Sequence, residues 1–210
     1  MTPADVGRRE WQATQAAFEE ATRWYSEVLA QVGDRWSEPG LGEWDVRALA
    51  GHTSRALLTV ETYLGQPADA VDVASAVDYY IATRQIAAGP AVAQRGRDAG
   101  QALGDDPVAA VAQIASRVLP LVAAVGGDEL LTTVAGGMRI SDYLPTRVFE
   151  LVVHTADLAV ALGVAAEPPP GPAALALALL SDLAIASGQA ATVLLATTGR
   201  RGPPPGFTLL

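Results

Sequence analysis

Apolar side chains recur at steps of three and four residues along most of the chain, which is the spacing of amphipathic helices. The first such stretch predicts a helix over residues 3 to about 32, with apolar positions Trp11, Ala17, Phe18, Ala21, Tyr25, Val28 and Leu29. Proline and glycine crowd residues 37–42, so we expect a loop there. Asp45 can then cap a second helix that reaches about Leu64.

The middle of the chain predicts two more helices. A third helix covers residues 75–100, and we expect it to break or bend near Gly89-Pro90. The pair Asp106-Pro107 combines an N-cap with proline at the first helical position, so a fourth helix begins there and reaches about Val125. Pro120 lies inside that run and predicts a kink or an early stop.

The last third of the chain is also helical by its pattern. After residues 130–140, which we expect to be extended or a loop, Ser141 can cap a long helix to residue 162 that Gly163 closes. Two short helices then fill residues 173–197, and the proline- and glycine-rich residues 199–206 cannot be helical. Since no alternating strand series is present, the fold class is all-α. We expect a bundle over residues 1–165 and a helical extension with a Pro/Gly-rich tail over 166–210.

Composition and charge exclude several classes of protein. Half of the 210 residues are hydrophobic, which excludes a disordered chain. The formal net charge of −9 predicts that neither nucleic acid nor an anionic membrane surface is a partner. The start of the chain lacks the apolar stretch of a signal peptide, and the longest apolar run, residues 172–186, is too short to span a bilayer. We therefore expect a cytoplasmic protein.

Cysteine and lysine are missing from the chain, and histidine is rare. The chain has no cysteine, so it has neither a disulfide nor a thiolate nucleophile of its own. It also has no lysine, which excludes Schiff-base chemistry and a P-loop lysine. Histidine occurs twice, as His52 and His154, so any imidazole chemistry depends on these two residues.

A polar stripe runs along the otherwise apolar helix predicted over residues 141–162. Arg147, Glu150, His154 and Asp157 follow one another at steps of three, four and three, which places them on one face. One interpretation is a solvent-facing stripe with ordinary ion pairs, either Arg147 with Glu150 or Glu150 with His154. The other interpretation is a site for chemistry.

His52 adds weight to the second interpretation. It shares a helix face with Leu49 and Ala56, so it points toward the core, where an imidazole needs a hydrogen-bond partner or a metal. A hydrogen-bonded core histidine remains the alternative. If the two helices pack face to face, His52, Glu150 and His154 form the two-histidine, one-carboxylate ligand set of an open zinc site.

Two segments carry a resemblance to a known family. GEWDVRALAGH at residues 42–52 and RVFELVVHTADLA at residues 147–159 resemble the signature stretches of the mycothiol-dependent maleylpyruvate isomerase family, which belongs to the DinB-like metalloenzyme superfamily. The resemblance implies a DinB-like four-helix bundle that binds a divalent metal, usually zinc, through His52, Glu150 and His154. It also implies mycothiol as a thiol co-substrate and a small electrophile as substrate.

Four further residues are candidates for supporting roles. Asp157 either orients His154 or is a surface acid, and Arg147 either receives a carboxylate of the thiol or substrate or pairs with Glu150. Arg55 lies one turn from His52 and could line the pocket mouth. Tyr143 could donate to a bound ligand, although a packing role is the alternative. We expect the four tryptophans to serve mainly in packing, namely Trp11, Trp24, Trp36 and Trp44.

The leading hypothesis is a zinc-dependent mycothiol S-transferase or isomerase, monomeric or homodimeric, that acts on a small electrophile. A second hypothesis is a metal-dependent hydrolase, for which Asp157 is the only nearby base. A third is a non-enzymatic, stress-related metal-binding protein that keeps the site.

Overall fold

The computed structural model describes residues 2–87 and 91–210. Within these residues the protein is mostly helical, so the predicted all-α class is confirmed. The elements, in chain order, are α1 (Pro3–Leu29), a 3-10 turn (Arg35–Ser37), β1 (Pro39–Leu41), β2 (Trp44–Asp45), α2 (Val46–Leu64), α3 (Ala76–Ala87), α4 (Ala91–Ala102), α5 (Pro107–Ala124), β3 (Leu130–Thr133), β4 (Gly136–Arg139), α6 (Ile140–Leu162), α7 (Pro170–Ala186) and α8 (Ala190–Thr197).

Helices α1, α2, α5 and α6 form a four-helix bundle, as expected for a DinB-like fold. Both α1 and α2 pack against α5 and α6, and α7 covers the outer side of α1 and α6. The core between them is filled by large side chains that have no contact with solvent, including Phe18, Tyr25, Leu49, Leu57, Leu144, Leu151 and Leu158. The bundle therefore buries one continuous apolar core, with α7 and α8 as a helical extension.

Several helix ends lie where the capping residues predict them. The side chain of Asp45 accepts from the backbone nitrogen of Ala48 at 2.7 Å, and that of Asp106 accepts from Ala109 at 3.0 Å. Each bond satisfies a donor that the first helical turn leaves free. Gly163 closes α6 with φ of 65°, a left-handed conformation that favours glycine.

One helix-end prediction is wrong, and one of the two outcomes expected at Pro120 is excluded. Ser141 does not cap α6, which begins at Ile140 directly after β4. The backbone nitrogens of Ile140 and Ser141 instead donate to the carbonyls of Glu129 and Gly127, so backbone groups rather than a side-chain cap satisfy two donors of the first turn. Pro120 does not stop α5 early, because the helix continues past this exposed residue to Ala124.

The segments expected to be loops contain two small antiparallel hairpins. Strands β1 and β2 pair within the first, and β3 and β4 pair within the second, so residues 130–140 are extended, which is one of the two predicted outcomes. The predicted third helix consists of two helices, α3 and α4. The break expected at Gly89-Pro90 lies outside the described residues.

Among the described residues, α5 alone is long and apolar enough to cross a membrane, judged by length and composition only. Its buried residues Val111, Ile114, Val118 and Val122 belong to the core of the bundle. Core helices of soluble proteins pass the same test, so this helix is weak evidence for a membrane span.

The helix that carries His52 is fixed by unusually close backbone packing. The hydroxyl of Tyr25 on α1 donates to the carbonyl of Ala50 at 2.6 Å. On the opposite side, α2 touches α4: a Cβ atom on Gly51 would lie 2.1 Å from the backbone nitrogen of Gly100. Only a residue without a side chain allows the two backbones to come so close. Because Gly51 has no side chain, α4 can pack closely against α2 next to His52, the residue that follows Gly51.

We expect Gly51→Ala to lower the free energy of unfolding by about 1–3 kcal/mol, because the added methyl group meets backbone atoms of α4 that cannot rotate away. Urea denaturation measures this change. Gly7→Ala is the matched control: a Cβ there meets nothing within 4 Å, and alanine in the exposed part of α1 should raise stability by about 0.5–1 kcal/mol. Equal effects of the two substitutions would contradict the close packing of α2 on α4.

Candidate metal centre

The packing of α2 against α6 brings the two histidines and one glutamate together. His52 lies on α2, and Glu150 and His154 lie one turn apart on α6. One potential ligand atom from each residue lies within 4.8 Å of the others. The imidazole rings of His52 and His154 meet edge to face, with their centroids 4.7 Å apart. The predicted convergence of the three residues is therefore present.

Each ligand candidate on α6 is oriented by a second polar group. Nε2 of His154 lies 3.2 Å from Oε2 of Glu150, and Nδ1 of the same ring lies 3.2 Å from Oδ2 of Asp157. The hydroxyl of Tyr80, on α3, donates to the other carboxylate oxygen of Glu150 at 2.7 Å. Asp157 thus orients the ring of His154, and Tyr80 orients the carboxylate of Glu150, as groups next to the ligands do in metal sites.

The charges of the three groups are set by burial and by one another. Burial, and then the charge of His154, lower the pKa of His52 to about 4, so this ring is neutral at neutral pH. Burial opposes ionisation of Glu150, but the hydrogen bond to His154 and the charge of Arg147 outweigh it and lower the pKa to about 2. Burial also opposes charge on His154, yet its bonds to Asp157 and Glu150 raise its pKa to about 9.

His52 differs from the other two candidates because the described residues offer it no hydrogen bond at Nδ1. This nitrogen is buried and has no partner, which is uncommon for a buried polar atom. The ring is held instead by the indole of Trp44, whose centroid is 4.4 Å away. The Trp44 nitrogen donates to the carbonyl of Ala93 on α4 at 2.9 Å, which ties the indole in place.

The three candidates lie on the wall of a cavity of about 470 Å³. This volume is within the range of sites that bind small molecules. Arginine supplies four lining residues, and Glu150 is the one acid among the described residues of the wall, so the cavity is positive in a chain of net charge −9. The wall consists of Trp44, His52, Arg55, Ala56, Thr59, Tyr63, Tyr79, Tyr80, Thr83, Arg84, Val92, Arg95, Val134, Arg147, Glu150, His154 and Leu210.

Arg147 lines the cavity but does not form the ion pair with Glu150 that was one of its expected roles. Only 8% of the residue is exposed, and within the described chain no carboxylate lies within ion-pair distance of it. Its Nε donates to the hydroxyl of Thr146 at 2.9 Å, and the guanidinium lies over the rings of Tyr143 and Tyr79, at 4.9 and 5.4 Å from their centroids. The aromatic faces stabilise the cation in place of a carboxylate.

Of the two residues expected to contact a bound cofactor, one lines the cavity and one does not. Arg55 is part of the wall, one turn along α2 from His52. Tyr143 is fully buried outside the wall, and its hydroxyl donates to Thr59 at 2.9 Å. The structure therefore gives Tyr143 the packing role that was its alternative, with its ring beneath the guanidinium of Arg147.

Sequence reasoning missed two aromatic residues at the site. Trp44 was expected to serve mainly in packing, yet its indole also contacts His52 and lines the cavity. Tyr80 was not considered, because nothing in the pattern of α3 indicates that this helix lies over Glu150. For Trp44 the sequence did offer a signal, because this residue directly precedes Asp45, which caps the helix that carries His52.

The residues present fit a divalent cation. A zinc ion bonded at about 2.0–2.2 Å holds neighbouring ligand atoms roughly 3.4 Å apart, close to the 3.2 Å between His154 Nε2 and Glu150 Oε2. His52 contributes a neutral ring with an unpartnered nitrogen. A helical bundle whose facing helices bring such donors to one cavity belongs to the class of bundle metalloproteins.

The family within this class follows from comparison with known proteins. The family model for the mycothiol maleylpyruvate isomerase N-terminal domain matches residues 16–159, about two thirds of the chain. The chain belongs to this family, which connects it with mycothiol-related, metal-binding function. No curated protein and no solved structure gives a significant match. The matched region contains all three ligand candidates and both orienting residues.

We expect His52→Ala to remove tightly bound metal while leaving the bundle folded, because only two of the three ligands remain. The loss of affinity should exceed the roughly 10–100-fold that removal of an orienting partner causes. Zinc content after dialysis against a weak chelator measures it. The control is Thr62→Ala, an exposed position on the same helix. Full metal content in the His52 variant would contradict its role as a ligand.

Proposed function

We propose that this protein is a zinc-dependent enzyme that activates mycothiol for transfer to, or isomerisation of, a small electrophile. One observation carries the proposal: His52, Glu150 and His154 converge on the wall of a cavity large enough for a small molecule. A site with three protein ligands leaves a coordination position for an exogenous group, which distinguishes catalytic zinc sites from structural ones. Membership in the mycothiol maleylpyruvate isomerase family supports mycothiol as that group.

The composition of the chain is consistent with an imported sulfur nucleophile. The protein has no cysteine, so a thiol at this site comes from a small molecule. A divalent metal held by the three ligands lowers the pKa of a coordinated thiol and so supplies the thiolate at neutral pH. His52 and His154 would hold the metal as neutral rings, so on metal binding His154 would release to solvent the proton that Asp157 and Glu150 otherwise stabilise.

The surrounding residues position the ligands and receive the substrate. Asp157 holds the ring of His154, and Tyr80 holds the carboxylate of Glu150. The terminal nitrogens of Arg147 have no hydrogen bond within the described residues and border the cavity, so they are available to a carboxylate on the substrate or thiol. Arg55 adds a second positive charge on the His52 side of the wall.

The geometry supports thiol activation more strongly than hydrolysis. A hydrolase needs a base to take a proton from water, and Asp157 was the one candidate. Its Oδ2 is engaged with Nδ1 of His154, on the side of the ring away from Glu150. Glu150, the one acid of the described cavity wall, belongs to the ligand set.

We further propose a cytoplasmic protein whose partners are small molecules.

We expect mycothiol to bind directly to the metal of the cobalt(II)-loaded protein, which would give a sulfur-to-cobalt charge-transfer band in its absorption spectrum. The zinc protein should then consume mycothiol in the presence of a small electrophile such as 1-chloro-2,4-dinitrobenzene or maleylpyruvate. A chelator should abolish both signals, and added metal should restore them.

The matched controls are two glutamate-to-glutamine variants. Glu150→Gln weakens the metal site and should lose both signals, whereas Glu61→Gln disrupts only the surface pair with Arg117 and should keep them. A spectrum that mycothiol leaves unchanged would contradict thiol activation. Consumption of the electrophile at the same rate without thiol would favour the hydrolase, and metal binding without either signal would favour a non-enzymatic binder.

A further inference from the structure

A short segment far from the bundle in sequence forms part of the metal cavity. Leu210 lines this cavity together with His52, Glu150 and His154. It also lines a neighbouring cavity of about 370 Å³, which lies against the turn between α7 and α8. Arg84 borders both cavities as well. Leu210 and Arg84 therefore lie between the two neighbouring cavities.

The segment is anchored rather than simply resting on the surface. Leu209 is only 7% exposed, so its side chain is inserted into the protein. Its carbonyl accepts a hydrogen bond from Nη2 of Arg84, on α3, at 3.0 Å. The backbone nitrogen of Phe207 donates to the carbonyl of Pro204 at 3.0 Å, and that of Leu210 donates to the Thr208 hydroxyl at 3.1 Å. These contacts fix the position at which Leu210 meets the cavity.

The segment contributes an apolar side chain to the edge of the cavity. Leu210, which is 45% exposed, lines the cavity along with two other aliphatic residues, Val92 and Val134. Aliphatic side chains at a cavity boundary exclude ligands by volume, and one extra methylene can change discrimination by about 10–200-fold in a tight site.

We propose that residues 207–210 form a wall that sets the size of the molecule admitted to the metal site, with Leu210 as the specificity-determining side chain and Arg84 as the positioning residue that holds it. This inference rests on the proposed function, since it assumes that the cavity admits a thiol and its substrate. Loss of the wall joins the two cavities of about 470 and 370 Å³ and admits wider ligands.

The test compares two thiols of similar acidity and different width, benzenethiol and 4-tert-butylbenzenethiol, on the cobalt(II)-loaded full chain. Their dissociation constants are read from the sulfur-to-cobalt charge-transfer band. Leu210→Ala removes the side chain from the wall, and Arg84→Met removes the donor to Leu209 while keeping a long side chain. Leu194→Ala, at a 63% exposed leucine on α8, and Arg23→Met, in a surface ion pair, are the matched controls.

We expect both wall variants to bind the wide thiol about tenfold more tightly than the unmodified protein does, with little change for benzenethiol. The variant with both substitutions should bind the wide thiol no more tightly than the better of the two single variants, because both changes open the same wall. The two controls should leave the ratio of dissociation constants unchanged.

The possible failures are distinguishable. If benzenethiol gives no band with the unmodified cobalt protein, the proposed function itself fails. If benzenethiol binds and the ratio of the two dissociation constants is the same in the unmodified protein and both wall variants, the size-limiting wall is wrong and thiol binding stands. Equal tightening for both thiols would also contradict the wall, since it would show a general effect on the metal.

Discussion

The contact between α2 and α6 is the constraint on which the site depends. It places the ring of His52 4.7 Å from that of His154, across from the carboxylate of Glu150. Neither helix has the ligand set alone, because α6 supplies one imidazole and one carboxylate and α2 supplies the second imidazole. Polar groups that are largely removed from water cost free energy unless they compensate one another. The row of Glu150, His154 and Asp157 provides that compensation on α6, and His52 remains neutral on α2.

The rest of the molecule keeps α2 and its histidine at this distance. Tyr25 bonds to the backbone of α2 from within the bundle, and the glycine pair Gly51 and Gly100 lets α4 pack against its other side. Helix α4 in turn accepts the hydrogen bond from Trp44, whose indole covers the His52 ring. The side chains around the cavity are thus positioned by helices from both sides, so the cavity depends on the whole fold rather than on one loop.

Much of this arrangement could be predicted from the sequence, because its signals act between residues that are close in the sequence. The caps at Asp45 and Asp106 and the left-handed Gly163 act within one helical turn, so their residues alone indicate them. The stripe on α6 is equally local. Ser141 was misassigned because α6 begins one residue earlier, at Ile140, where the backbone nitrogens of Ile140 and Ser141 donate to carbonyls of Glu129 and Gly127 in the segment before the hairpin.

The features that the sequence could not indicate depend on contacts between distant segments. Tyr80 reaches Glu150 because α3 lies over α6, and the segment that brings Leu210 to the cavity is held by the buried Leu209 side chain and by the bond from Arg84 to the Leu209 carbonyl. Arg147 was expected either to pair with Glu150 or to receive a carboxylate. The guanidinium lies over the rings of Tyr79 and Tyr143 instead of pairing with Glu150. The spacing of apolar residues along the chain does not predict such contacts between helices.

The most direct measurement is an anomalous difference map from crystals of the zinc-loaded protein, recorded at the zinc absorption edge. The packing of α2 on α6 predicts one strong peak per chain, bonded at about 2.0–2.2 Å to His52, Glu150 and His154. A map with no peak between these three residues, or with zinc bound only to exposed carboxylates, would contradict the assignment of a metal centre to this site.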